Sequence, residues 1–182
     1  AYIYEGQEQL QKAEKQYKRY LEHSPNSKFA TLRLIEIYKK MATPEKSTEL
    51  YQKLYQHRKR DWELAQKYLD HLEESHDFLS LQKLRLAIAG NFIDAPRFPK
   101  ERIENILSDA LERAFWEQDQ ELAYNILIKL TKIAKNPIDY IQEMTKLDKS
   151  LKKTKRVLST LEKQLKENPV SYTHLTLPTI RL

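Results

Sequence analysis

The sequence predicts an all-α protein, a solenoid of antiparallel helix pairs followed by a long C-terminal heptad helix. Three observations carry that expectation. The 182 residues include 2 Gly, 7 Pro and no Cys, where a usual Gly share would give roughly 13. Gly6 and Gly90 alone leave no material for Gly-rich phosphate loops, type I′ hairpins or a dinucleotide-binding turn. The lack of Cys excludes disulfides, Cys-ligated zinc and thiol chemistry. Second, Pro, Asn, Asp and Ser punctuate the chain at intervals of one short helix. Third, Tyr4 returns as Tyr38, Ala13 as Ser47, Tyr17 as Tyr51 and Tyr20 as Leu54, each 34 residues on. A pair of helices needs a small residue where they cross closely and large ones a turn away, which is how this period reads.

The elements follow in order. Residues 1–7 read as the end of a helix, and 9–22 as a second one stopped by Ser24, Pro25 and Asn26. Ser27 is placed to cap 28–41, and Thr43 with Pro44 supplies an N-cap and a first-turn proline for 44–58. Asp61 caps 62–74 and Asp77 caps 78–89, with Gly90 expected to close that pair in a left-handed C-cap. Helices 100–117 and 120–135 come after an irregular stretch holding Pro96 and Pro99, and Asn136-Pro137 opens a last helix of about 30 residues. The expected organisation is therefore helix pairs over 1–90, a linker at 91–99, a further degenerate pair over 100–135, a long basic amphipathic helix over 137–168, and a tail at 170–182.

In the last helix Met144, Leu147, Leu151, Thr154, Leu158, Leu161 and Leu165 alternate by 3 and 4, a heptad seam. Such a stripe either caps the open end of a solenoid or forms a coiled-coil dimer; capping logic favours the former. The tail is Thr-rich and β-branched without helical period. Its string Ser171–Pro178, SYTHLTLP, resembles the translated read-through of a sequencing adapter, and a genuine tail is the alternative.

Charge is uneven. Residues 1–145 hold 23 basic and 23 acidic side chains and cancel, while residues 146–167 hold 8 against 3, giving 8 − 3 = +5 of the net +6. The basic eight are Lys146, Lys149, Lys152, Lys153, Lys155, Arg156, Lys163 and Lys166. They fall on the face away from the seam, where Lys favours helix and solvates a surface; nucleic acid or an anionic membrane surface is the alternative target. Arg58, Lys59 and Arg60 read as a helix C-terminus complementing its dipole. Charged residues interrupt every apolar run, so no membrane span is expected. The chain begins at Ala1 without Met or a signal pattern and is expected to be a fragment; cytoplasm by default, or bacterial periplasm or envelope, remains open.

Catalytic signatures are missing. His23, His57, His71, His76 and His174 fall in no HExxH pattern, and His71 with Glu74 is the one near-metal spacing, read as two surface residues. Glu73-Glu74 and Glu117 with Asp119 are explained by helix ends and turns. No enzyme activity, metal or cofactor is expected. Most tyrosines sit at repeat packing positions; Trp62, Phe115 and Trp116 fall outside that set and are the candidate exposed anchors.

These residues resemble the tetratricopeptide repeat. Its small-and-aromatic pattern is matched by Ala1, Tyr4, Ala13, Tyr17, Tyr20 and Pro25. A second unit keeps Leu34, Tyr38, Ser47, Tyr51 and Leu54, with Lys59 where Pro is usual. A third is degenerate, with Ala65, Tyr68, Leu81 and Leu84, and a fourth offers Leu107, Ala110, Leu111, Ala114, Ala123, Leu127 and Leu130. The stretch from Tyr20 to Ala30 is also similar to repeats of bacterial envelope assembly proteins. The resemblance covers residues 1–135. It implies a right-handed α-solenoid that acts as a protein-binding scaffold, holding a peptide or helix of a partner in a concave groove. The implied groove positions are Phe29, Leu32, Arg33, Glu36, Lys39 and Lys40, then Trp62, Gln66 and Asp70, then Ser108, Glu112 and Phe115. Leu32 and Glu36 replace the Lys/Arg and Asn clamp that some such grooves use for a terminal carboxylate, so a helical or extended ligand is expected instead. The alternative is a nucleic-acid-associated or regulatory protein using its basic last helix. Its binding would weaken log-linearly with salt.

Overall fold

The computed structural model describes residues 9–151, the side chains of 148–151 excepted. The helix end expected at 1–7, the heptad helix beyond 151 and the tail lie outside the described residues. Among the described residues there are eight helices and no strand: α1 (Leu10–His23), α2 (Lys28–Lys40), α3 (Pro44–His57), α4 (Trp62–Glu74), α5 (Phe78–Phe92), α6 (Lys100–Trp116), α7 (Gln120–Ile133) and α8 (Ile138–Leu151). The fold is all-α. The chain divides into two compact units at Ala95 and Pro96. In the first, each of α1 to α4 packs on the next in sequence; in the second, α6 packs on α7 and α7 on α8.

Three of the connections are built the same way. The turns α2–α3, α4–α5 and α6–α7 each hold one left-handed residue, Ala42 at φ 52°, His76 at φ 55° and Gln118 at φ 59°. The first two stand 34 residues apart (76 − 42 = 34). In each, the amide after that residue reaches back over the helix end: Thr43 N–H to Tyr38 O at 3.0 Å, Asp77 to Leu72 at 3.0 Å, and Asp119 to Ala114 at 2.9 Å. These bonds satisfy carbonyls that the helix leaves open. The same residue then starts the next helix. Asp77 accepts from Ser80 N–H and Asp119 from Leu122 N–H through their carboxylates. Between pairs, Ser27 accepts from Ala30 N–H and Asp61 from Leu64 N–H.

Two capping expectations are corrected. Thr43 does not cap α3 with its side chain; its hydroxyl donates to Tyr38 O at 3.2 Å, joining the left-handed turn instead. Gly90 is not a C-cap, for it lies inside α5, which runs on to Phe92 and ends at Ile93. The cause is Phe92, 5% exposed and packed against Trp62. Burying a phenylalanine is worth about 2 kcal/mol, more than the roughly 1 kcal/mol that an interior glycine costs a helix.

The cores use the small and large residues at the repeating positions. Ala13 and Ser47 are fully buried, and Tyr17, Tyr38, Tyr51 and Leu54 are buried around them. Tyr20 departs from its expected packing role and stands largely exposed. In the second unit Leu107, Ala110, Leu111 and Ala114 of α6 face Ala123, Leu127 and Leu130 of α7, all buried. Met144 and Leu147, the first two residues of the seam, are buried on α8, which Tyr140 ties to α6 by donating to Glu104 at 3.1 Å.

Candidate functional site

Two ion pairs set α2 beside α4. Lys28 reaches Glu63 at 3.2 Å and Lys39 reaches Glu74 at 3.0 Å, each across a sequence offset of 35 residues. A constant offset at both ends means that the two helices run in the same direction in fixed register. Lys28 also contacts Asp61 at 2.8 Å. Burial raises the Asp61 carboxyl, but the Lys28 ammonium and the Leu64 amide outweigh it and hold the group below its ordinary value.

Between the ladder's ends lies an open depression of about 240 Å³ lined by Phe29, Leu32, Arg33, Glu36 and Lys67. Phe29 is 61% exposed, and the Arg33 guanidinium sits over its ring at 5.6 Å. Four expected groove positions, Phe29, Leu32, Arg33 and Glu36, are brought together here. Lys67 was not among them, although it follows Glu63 by one turn of α4 and pairs with it at 2.9 Å. Lys40, Gln66 and Asp70 are exposed and Lys39 is half-buried in its pair with Glu74.

Aromatic rings of α3 and α4 form the packing beneath. Tyr51 stacks on Tyr68 with centroids 5.3 Å apart and planes 7° from parallel, and His71 lies 5.1 Å from Tyr51. Burial, then the nearby carboxylates Glu36, Glu74 and Asp70, push the Tyr51 phenol up to about 12. His71 corrects its expected place on the surface: it is 2% exposed, with Nε2 2.9 Å from the Thr48 hydroxyl. Among the described residues no group of three or more His, Asp or Glu is placed to hold a metal.

Trp62 is also corrected. It is half-buried and meets Phe92 edge-on, centroids 5.8 Å apart at 85°, so it belongs to the α4–α5 core and is not an exposed anchor. In the second unit Glu112 is exposed, Phe115 is 39% exposed and Trp116 is 74% exposed, with the Arg113 guanidinium 4.5 Å from the indole ring. Ser108 is half-buried and its hydroxyl bonds Tyr140 at 3.3 Å. Of the basic face, Lys146 is exposed and pairs with Glu143; the Lys149 side chain and Lys152, Lys153, Lys155, Arg156, Lys163 and Lys166 lie outside what is described.

Sequence reasoning missed a second hollow. It measures about 540 Å³ on another face of α2, with Leu21, Leu34 and Leu50 beneath and Lys18, Lys46 and Glu49 at its edge. Inside it the Tyr38 hydroxyl donates to Glu14 at 2.9 Å, and Lys18 pairs with Glu14 at 2.7 Å. Among the described residues no helix is long and apolar enough to cross a membrane. No family model matches the chain, and no curated protein matches it.

Proposed function

We propose that this chain is a tetratricopeptide-like helical-repeat scaffold, a right-handed α-solenoid without catalytic activity that holds a peptide or helix of a partner protein along α2 and α4. The observation that carries the reading is Phe29, which stands 61% exposed at the edge of a hollow shared with Leu32, Arg33, Glu36 and Lys67. A large apolar ring left in water beside an open cavity and fixed by a stacked arginine is the usual make-up of an interface centre. The three identical left-handed turns support the repeat reading. The burial of Met144 and Leu147 against α7 supports a capping role for the last helix over a coiled-coil seam.

The test is peptide capture. Random 12-residue peptides displayed on phage are selected on the full chain, and the captured sequences are synthesised and titrated. Phe29→Ser is expected to weaken them about tenfold or more, while Trp116→Ser on the second unit leaves them unchanged. Loss with Trp116→Ser alone would move the binding surface to α6.

A further inference from the structure

The groove holds a polar feature that an apolar ligand side chain does not use. Tyr51 is 2% exposed, and its hydroxyl bonds no described residue. The ring is packed away while the hydroxyl oxygen is not sealed from solvent, which leaves it open to a bond from a bound group. The side chains whose charge reaches that hydroxyl are Glu36, Glu74 and Asp70, all carboxylates.

Their placement follows from the register. Glu36 stands on α2, and Asp70 and Glu74 stand one turn apart on α4. The offset of 35 residues carried by the Lys28–Glu63 and Lys39–Glu74 pairs sets Glu36 opposite Asp70 and His71. Lys39 is drawn onto Glu74 and Lys67 onto Glu63. Glu36 and Asp70 have no ion pair among the described residues, and both are exposed. Among the described residues no three ligating groups converge to hold a metal ion. An organic cation that donates several hydrogen bonds suits two carboxylates without an ion pair.

We infer that Glu36, Asp70 and the Tyr51 hydroxyl form a subsite for a basic side chain, Lys or Arg, of the segment bound in the groove. The inference rests on the groove reading above. The ammonium or guanidinium donates to the two carboxylates from the solvent side, and the phenol oxygen accepts from below. Leu32 and Glu36 are one helical turn apart on α2, so the partner presents an apolar and a basic side chain at a similar separation. Charge-assisted bonds to a preformed acceptor set are stronger than neutral ones. The same pairing excludes an acidic residue at that place.

The captured 12-residue peptides test this against Glu36→Gln, Asp70→Asn, Tyr51→Phe and Phe29→Ser in the full chain. The first two change exposed side chains, and the third keeps the ring stacked on Tyr68, so thermal melts should match the parent. The expected peptides carry Lys or Arg about one helical turn from an apolar residue. They should lose about tenfold affinity with Glu36→Gln or Asp70→Asn and several-fold with Tyr51→Phe. Peptides that need Phe29 but lack a basic residue, or are indifferent to the Glu36 and Asp70 variants, overturn the subsite and leave the groove standing. Peptides indifferent to Phe29→Ser, or no captured peptide at all, overturn both.

Discussion

The His71 Nε2 atom and the Thr48 hydroxyl lie 2.9 Å apart and join α4 to α3, with the imidazole only 2% exposed. The Thr48 hydroxyl donates to Pro44 O at 3.0 Å and the imidazole bonds the same carbonyl, so the three groups form one buried cluster at the start of α3. Burial and then the Lys39 ammonium on α2 hold the ring below the ordinary His value, against the pull of Pro44 O and of Glu74 on its own helix.

That depression gives stability a pH dependence. The unfolded chain takes up the proton first, near pH 6.5, while the folded ring stays neutral. Protonation then favours unfolding, so stability is full above about pH 6.5 and falls as pH drops below it. Urea unfolding at pH 7.5 and 5.5 should show a lower midpoint at the acid value. His71→Phe should reduce the difference, and an unchanged difference in that variant would place the titrating group elsewhere.

Left-handed backbone at Ala42, His76 and Gln118 carries strain that glycine would not. A non-glycine residue there costs about 1–2 kcal/mol, of which the extra freedom of glycine in the unfolded chain takes back about 0.4–1. Ala42→Gly is therefore expected to stabilise the first unit by roughly 0.5–1 kcal/mol, measured by chemical denaturation. Ala42→Val should destabilise it.

Ala13 and Ser47 are fully buried where helices cross. The Ser47 hydroxyl lies 3.5 Å from Ile35 O, a long and weak bond, so Ser47→Ala should cost well under about 1 kcal/mol. Ser47→Leu should cost about 1–3 kcal/mol by overpacking. Equal effects of the two would contradict a steric role.

Asp61 has two jobs, accepting from Leu64 N–H and pairing with Lys28. Asp61→Ala removes the cap as well as the pair and is expected to cost about 1–2 kcal/mol. Lys28→Ala removes only its partly exposed pairs with Asp61 and Glu63 and should cost less than Asp61→Ala. Thermal melts of the two variants decide the order.

Much of this architecture is legible in the residues. Ser27, Asp61 and Asp77 announce helix starts because each short side chain bonds an amide three residues on, a local rule that needs no tertiary contact. Gly90 misleads because the deciding force is remote: Phe92 finds Trp62 on the neighbouring helix, and the helix extends to bury it. His71 was unreadable for the same reason, since its burial depends on Thr48 and Tyr51 of another helix. The left-handed turns carry no glycine, which hid them; the shared signal was the short polar residue at the N-cap position that follows each, Thr43, Asp77 and Asp119. In the groove, Phe29, Leu32, Arg33 and Glu36 were expected from the resemblance to the tetratricopeptide repeat, whereas Lys67 required the α2–α4 register.

The most direct measurement is amide chemical-shift mapping of the full chain with a captured peptide. Saturable shifts centred on Phe29, Leu32, Arg33, Glu36 and Lys67 are expected, with Trp116 unmoved. Shifts confined to Phe115 and Trp116, or to the basic residues 146–167, would contradict a partner groove on α2 and α4.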